Sequence, residues 1–259
     1  MILTIAIENT NTIVGCFDKE TLKFAEAVST DLKRTELEYL IQFQSMLDMY
    51  GIAKEDLEGA MISSVVPSVT DTVKCAASRM TGGEVLVVGP GVKTGLNILT
   101  DQPAQVGSDL VTNAVAGIQK YGAPLLIVNM GTATTLSAIN EKKQYVGGMI
   151  IPGMKVSLDS LSKGAAQLPD IGLKKPKKVI GANTVECMRS GMIYGTAAMV
   201  EGCLTRMEEE MGYNDVTVVA TGEYAKHILP YCGRKMIYDE NLLFDGLRLI
   251  YEKNRTTKS

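Results

Sequence analysis

The sequence predicts an α/β protein made of two halves, residues 1–120 and 121–259, that each have the element order βββαβα. Each half opens with three short segments rich in apolar and β-branched residues, which is typical of strands. Amphipathic helices and further strands then alternate, as they do in layered α/β folds. The apolar strand and polar turn of residues 5–10 recur in pattern at residues 128–133, more than 100 positions later. This recurrence indicates a duplicated fold.

The first half has clear boundaries for most of its elements. Thr35 and Glu38 form a capping-box pattern that opens an apolar-periodic helix, and Gly51 ends it. The other predicted elements are strands at 2–7, 12–17, 22–28, 59–66 and 85–88, and helices at 68–80 and 110–119.

The second half repeats this order with longer helices. The predicted strands are 125–129, 132–139, 145–151, 216–220 and 236–238, and the predicted helices are 154–161, 184–211, one from Gly222, and 242–252. The short basic segment 174–178 is interpreted as a solvated surface loop.

Composition and charge exclude several classes of protein. Of the 259 residues, 46% are hydrophobic and 21% charged, which is close to the globular average. There are 26 Lys and Arg against 29 Asp and Glu, so the net charge is −3. A weakly acidic chain without a long basic run argues against nucleic acid as the main partner. No apolar run reaches the roughly 18–20 residues of a membrane span, and the N-terminus lacks the basic flank of a signal peptide. We therefore expect a cytoplasmic protein with neither nucleic acid nor membrane as its partner.

Cysteine and histidine usage argues against zinc sites and against a Ser-His-Asp triad. The five cysteines are scattered without a C-x-x-C pair, and His227 is the single histidine. A triad would need His227 as its base. The segment around it is amphipathic, so His227 is predicted to be a partly buried helix residue.

Two polar turns in equivalent places of the two halves are candidate phosphate sites. In residues 130–135, Gly131 permits close approach of the backbone, and threonine hydroxyls such as that of Thr132 add hydrogen-bond donors. Either turn alone would be read as an ordinary β-turn, but two in matching places favour a nucleotide. The residues predicted to bind ATP are Glu8, Asn9, Thr10, Asn11, Thr12, Gly131 and Thr132.

Two further segments have both a structural and a functional interpretation. The glycine pair of residues 147–153 either passes close to a ligand or marks a crowded strand crossing. Asp109 follows Gly107 and Ser108 at the start of a predicted helix, where an acidic residue ordinarily caps the helix.

These motifs, taken in order, resemble the type III pantothenate kinase family. The motifs that carry the resemblance are Asn-Thr-Asn-Thr at 9–12, Gly-Ser-Asp at 107–109, Met-Gly-Thr-Ala-Thr-Thr at 130–135, Gly-Gly-Met-Ile-Ile-Pro-Gly at 147–153 and Ala-Thr-Gly at 220–222. The resemblance extends from Ile2 to about Asp245. It implies the duplicated actin-like fold of acetate and sugar kinases, Hsp70 and actin. It also implies a homodimer that phosphorylates pantothenate with ATP and magnesium in coenzyme A biosynthesis, with potassium or ammonium as a monovalent cation.

The resemblance also implies roles for individual residues. Asp109 matches the base that takes the proton of the pantothenate hydroxyl, and Gly107, Ser108 and Thr184 match pantothenate contacts. Asn9, Thr10 and Thr132 match phosphate-loop positions, and Asn129 occupies the position of an acidic residue at the cation site.

The chain departs from the family pattern where charge matters. Ala6 stands where the family has an aspartate, Glu8 replaces a glycine, and Asn129 replaces a second aspartate. Leu110 replaces an arginine, Thr100 a tyrosine and Glu223 a glycine. Removal of one charge-stabilising group commonly lowers the rate of such reactions by about 10²–10³.

Three hypotheses follow from these departures. The chain is a degenerate subunit that works with an intact paralogue in a heterodimeric kinase, or a self-sufficient kinase in which Glu8 replaces the acid lost at Ala6. The third hypothesis is a non-catalytic sensor of nucleotide or pantothenate.

Overall fold

The computed structural model describes residues 1–214 and 216–255, which form two compact units. The first unit comprises Met1–Leu96, Asp101–Gln119 and the chain from Asn241 onward. The second comprises Asn97–Thr100 and Lys120–Glu240. The chain thus returns to the first unit at its end, whereas the sequence prediction assigned everything after residue 120 to the second half. The boundary of the duplication at residue 120 stays a prediction.

The strands of the described residues reproduce the predicted ones to within about two residues. They are β1 (Ile2–Ile7), β2 (Asn11–Asp18), β3 (Thr21–Ser29), β4 (Gly59–Ser64), β5 (Glu84–Val87), β6 (Asn97–Ile98), β7 (Leu125–Met130), β8 (Ala133–Ile139), β9 (Gln144–Pro152), β10 (Thr217–Thr221) and β11 (Ile237–Tyr238). Only β6, a pair of residues beside β9, has no counterpart in the prediction.

The two sheets share one strand order. The first is β3-β2-β1-β4-β5, and the second is β9-β8-β7-β10-β11 with β6 added beside β9. In each sheet, the three opening strands are antiparallel neighbours and the two later strands join in parallel. The same order and the same strand directions in both sheets agree with the predicted duplication.

The helices are α1 (Glu36–Met49), α2 (Pro67–Thr81), α3 (Ser108–Tyr121), α4 (Met154–Gly164), α5 (Thr184–Met211), α6 (Ala225–Ile228) and α7 (Leu242–Asn254). The predicted capping box of α1 is confirmed, because Thr35 Oγ1 accepts from Glu38 N and Glu38 accepts from Thr35 N at 2.7 Å. Among the described residues, no helix combines the length and the apolar character that a membrane crossing requires.

The helix predicted from Gly222 is shorter than expected. α6 has four residues and passes into a 3-10 turn, Leu229–Tyr231, that contains Pro230. His227 lies on this short helix with its side chain exposed, so the predicted partial burial of His227 is wrong. The basic loop 174–178 lies outside helices and strands, and its lysines are exposed as predicted.

Each unit has its own apolar core. In the first, Leu3, Ile5 and Ile7 of β1 pack with Tyr39 and Phe43 of α1. α7 packs against β1 and β4 of the same unit. In the second unit, Leu126, Val128 and Met130 of β7 pack with helix residues that include Val200 and Leu204 of α5. In both units the central strand is buried, except at Asn129 of β7, and its end carries a polar turn.

Candidate functional site

The turn between β1 and β2 is held by Thr30, the residue that follows β3. The turn is closed by Glu8 N, which donates to Asn11 O at 2.9 Å. Thr30 Oγ1 donates to Glu8 O at 2.7 Å, and Thr30 N donates to Thr10 O at 2.9 Å. The side chains of Asn9 and Thr10 at the tip are exposed, so the turn presents polar groups on a fixed backbone.

Ala6 and Glu8 occupy different environments. Ala6 is 1% exposed and lies between Ile13 and Ser63 in the sheet register. Glu8 is half-buried and follows the last residue of β1, so it belongs to the turn rather than to the strand. In a strand, side chains two residues apart point to the same face. Because Glu8 lies outside β1, this rule does not place its side chain on the same face as that of Ala6.

The turn between β7 and β8 is packed by backbone from two other segments. Gly131 N donates to Ala133 O, and Gly153 N donates to Thr132 O, both at 3.1 Å. A Cβ atom at Gly153 would overlap the carbonyl oxygens of Gly131 and Thr132. The turn is thus closely covered on the side of Gly153, while Gly131 and Thr132 remain half-buried rather than enclosed.

Gly222 covers the end of β7 from the side of β10. Its φ of +94° is in the region that favours glycine, and a Cβ atom there would overlap the amide oxygen of Asn129. Tyr224 N donates to Met130 O at 3.0 Å. The three predicted residues Asn129, Gly131 and Thr132 are therefore brought together by the structure.

In the glycine pair of residues 147 and 148, Gly148 is tightly packed against the neighbouring strand. A Cβ atom at Gly148 would overlap Leu136 O in the neighbouring strand. This geometry favours the crowded strand crossing over a ligand contact at Gly148. Thr134 and Thr135 are buried residues of β8, so their hydroxyl groups belong to the strand and not to the turn.

Asp109 lies in the first turn of α3 with a half-buried side chain. Burial raises the pKa of its carboxyl group, and hydrogen bonds from the backbone N–H groups of Leu110 and Asp109 lower that pKa by a smaller amount. A Cβ atom at Gly107 would lie 2.6 Å from Asp109 Oδ1. Gly107 therefore leaves room for the carboxylate to fold back over the start of the helix. The capping interpretation of Asp109 agrees with these contacts.

The predicted site residues divide between the units. Glu8–Thr12 and Gly107–Asp109 belong to the first unit, whereas Asn129, Gly131, Thr132 and Thr184 belong to the second. Thr184 is exposed at the start of α5, one residue after the N-cap Asn183.

Each of the two turns carries side-chain oxygen groups. Within residues 1–214 and 216–255, no group of three or more His, Cys, Asp and Glu side chains is placed to hold a metal. Mg²⁺ is usually bound through one or two carboxylates plus substrate phosphates. Glu8 offers such a carboxylate at the first turn, whereas Asn129 offers only a neutral amide oxygen at the second.

Sequence reasoning missed the residues that support the site. Thr30 holds the first turn, and Ser63 and Ser64 of β4 hold the start of α3. Their partners lie about 20 to 45 positions away in the chain, and no motif marks them. Sheet register and the packing of α3 bring them to the site.

Comparisons with known proteins agree with this geometry. A family model described as type III pantothenate kinase matches residues 2–206. A type III pantothenate kinase from an Exiguobacterium species is 44% identical over 255 residues, covering 98% of this chain and 100% of its own. The activator of 2-hydroxyisocaproyl-CoA dehydratase from Clostridium difficile has a TM-score of 0.57 at 9% identity, covering 100% and 99% of the two chains. A ROK hexokinase from Thermus thermophilus has a TM-score of 0.51 at 12% identity and covers 98% of each chain. The two structural similarities establish the fold alone, and they confirm the predicted duplicated actin-like class.

Proposed function

The chain belongs to the type III pantothenate kinase family, and from this premise we propose that it takes part in the ATP-dependent phosphorylation of pantothenate. The observation that carries the proposal is the carboxyl group of Asp109, which is half-buried, raised in pKa and fixed at the start of α3. A carboxylate whose pKa is raised by burial is a stronger base than an exposed one.

In the proposed reaction, Asp109 accepts the proton of the pantothenate hydroxyl group. The hydroxyl oxygen forms a bond to the γ-phosphorus of ATP, and the bond from that phosphorus to the leaving ADP oxygen breaks. Such reactions depend mainly on positioning and on neutralisation of charge. The role of the protein is therefore to hold the two substrates and to orient one carboxylate.

The turn of Gly131 and Thr132 is suited to bind the phosphates of the nucleotide. Cβ atoms at Gly153 and Gly222 would overlap atoms of residues 129–132. A turn covered by backbone in this way can offer main-chain groups, together with the Thr132 hydroxyl group, to phosphates. Magnesium bound with the nucleotide would neutralise phosphate charge. Because Asn129 offers a neutral amide oxygen at the position of the family's acid, we expect the requirement for potassium to be weak.

We propose further that the chain acts as a degenerate subunit beside an intact paralogue. Ala6 is too small and too buried to contact an ion, and Leu110 provides no cation next to Asp109. The fold, Asp109 and the turn covered by Gly153 and Gly222 are retained, while the two acidic residues expected at positions 6 and 129 and the arginine expected at position 110 are not. A paralogue with those groups would supply the missing charges.

The experiment measures ADP release with ATP, magnesium, potassium and pantothenate. We expect little turnover from the chain alone, and a rate above that of the paralogue alone when the two proteins from one genome are mixed. Asp109→Asn is the matched control, because it removes the base while keeping the size of the side chain. A mixture that forms no complex in size-exclusion chromatography and shows no gain in rate would contradict the subunit role.

A self-sufficient kinase remains the second candidate, because Glu8 places a half-buried carboxylate at the first turn. In that case Glu8→Gln abolishes the turnover of the chain alone, since the metal loses its only carboxylate from that turn. Under the subunit hypothesis, the same substitution leaves turnover unchanged or raises ATP affinity, because one negative charge near the phosphates is removed. The two candidates therefore predict opposite results.

A further inference from the structure

The start of α3 is attached to the end of β4 through the hydroxyl group of Ser108. Ser108 Oγ donates to Ser64 O at 2.9 Å and accepts from Ser64 N at 3.0 Å. It also lies 2.9 Å from Ser63 Oγ. One hydroxyl group thus binds the backbone of the last residue of β4 and the side chain of the residue before it.

These three contacts use the whole hydrogen-bonding capacity of Ser108 Oγ. A serine hydroxyl has one proton to donate and two lone pairs that accept. Since the proton goes to Ser64 O, Ser63 is the donor in the third contact. No lone pair or proton of Ser108 Oγ is left for a ligand, so this hydroxyl group does not supply the pantothenate contact implied by the family resemblance.

Further hydrogen bonds extend from Ser64 to the start of α2 and from Ser108 to the next turn of α3. Ser64 Oγ accepts from Thr70 Oγ1 at 2.7 Å and from Val66 N at 3.1 Å, and so it joins β4 to the start of α2. Thr112 Oγ1 donates to Ser108 O at 2.6 Å one turn further along α3. Ser63 is 2% exposed, so water competes little for its bond to Ser108. The first turn of α3 is therefore held at a defined place relative to the sheet.

We propose that Ser108 is a positioning residue that fixes the carboxylate of Asp109 by anchoring α3 to Ser63 and Ser64, and that its hydroxyl group does not hydrogen-bond to pantothenate. This inference rests on the proposed role of Asp109 as the base. Asp109 directly follows Ser108, so a loosened helix start moves the carboxylate. Displacement of a reacting group by about 1 Å can cost about 10²-fold in rate.

The central test is Ser108→Ala, with Ser108→Thr as the variant that keeps a hydroxyl group. We expect Ser108→Ala to lower kcat by about 10- to 100-fold with less than about a threefold change in KM for pantothenate. Ser108→Thr should recover much of the loss. Turnover is measured with the chain alone or mixed with the paralogue, whichever is active.

Ser78→Ala is the matched control. Ser78 Oγ donates to the backbone oxygen of Lys74 within α2, so its loss also removes a hydroxyl bond to a helix but leaves β4 and α3 untouched. It should leave both kcat and KM unchanged. If Ser108→Ala does not fold, Ser63→Ala removes one of the three contacts and should show a smaller loss of kcat, roughly threefold.

A second measurement separates this proposal from the proposed function. The carboxyl group of Asp109 is titrated by ¹³C NMR, and Asp109→Asn identifies its signal. In Ser108→Ala the carboxyl group should become more hydrated, and its pKa should move down toward the ordinary value, whereas Ser78→Ala should leave it unchanged. This readout needs no turnover, so it decides the positioning role even where the kinase reaction is absent. A raised KM at constant kcat would identify a ligand contact, and an unchanged Asp109 titration would remove the positioning role.

Discussion

The two equivalent turns of the duplicated fold are supported in different ways. The turn after β1 is held by the side chain and backbone of Thr30, and it carries the charged residue Glu8. The turn after β7 is covered by the backbone of Gly153 and Gly222, and it carries no charged residue. One turn therefore depends on side-chain hydrogen bonds and the other on the absence of side chains.

This difference predicts that the two turns tolerate substitution differently. A turn packed by glycine backbone tolerates almost no substitution, because any Cβ atom meets a carbonyl oxygen. A turn that depends on side chains can exchange them and keep its shape. Glu8 lies at the turn that is held by side chains, and Gly131 and Thr132 lie at the turn that is covered by glycine backbone.

The largest expected effect is at the glycine-packed turn. Gly153→Ala places a Cβ atom against Gly131 O and Thr132 O, so the turn or α4 must move. We expect a loss of about 2–4 kcal/mol in stability and a loss of ATP binding. Thermal unfolding and calorimetric titration with ATP measure the two effects.

Gly195→Ala is the control for that experiment. Gly195 is exposed within α5, and a Cβ atom there meets nothing within 4 Å. Alanine should stabilise the helix by about 0.5–1 kcal/mol. Equal losses from both substitutions would contradict the difference between the two turns.

The second-largest expected effect is a loss of stability at the turn between β1 and β2, which Thr30 holds. Thr30→Val keeps the shape of the side chain but removes the bond to Glu8 O and the contact with Thr12 Oγ1 at 3.0 Å. We expect a loss of about 1–2 kcal/mol, because the buried Thr12 hydroxyl and a carbonyl oxygen each lose a partner. Chemical denaturation measures it, and Thr30→Ser should retain most of the stability.

The smallest effect concerns Asp109 and its pKa. A carboxyl group whose pKa is raised in the folded state favours folding below the pKa of the unfolded chain, and that contribution is lost as pH rises through the folded pKa. Asp109→Asn should therefore raise the melting temperature by roughly 1–3 °C at pH 7 and by less at pH 4. A decrease at pH 7 would show that the hydrogen bonds of Asp109 to the helix outweigh its burial.

Local signals in the sequence predicted most of the fold. The Thr35 and Glu38 pattern located the start of α1, and the helix predicted at 184–211 has the observed bounds of α5, between Asn183 and Gly212. β6 escaped prediction because two residues show no periodicity and are defined only by their pairing with β9. The burial of His227 was predicted from a longer amphipathic helix, whereas α6 has only four residues and passes into the turn that contains Pro230.

The sequence predicted the two turns and Asp109 of the candidate site, but not the residues whose hydrogen bonds hold them in place. Motifs identified the two turns and Asp109, since glycine, threonine and aspartate have local signatures. The saturation of the Ser108 hydroxyl by Ser63 and Ser64 depends on contacts between residues about 45 positions apart. Such contacts follow from sheet register and helix packing, which one sequence does not display.

The return of the chain to the first unit has a consequence for its synthesis on the ribosome. α7 packs on β1 and β4, although those strands are translated first. At roughly 5–20 residues per second, the 121 residues of Lys120–Glu240 take about 6–24 s to emerge. During that interval the nascent first unit exposes the surface that α7 later covers. A ribosome-bound chain stalled before Asn241 should therefore be digested in its N-terminal region faster than the full-length protein, and it is a natural client for chaperones that bind exposed apolar surface.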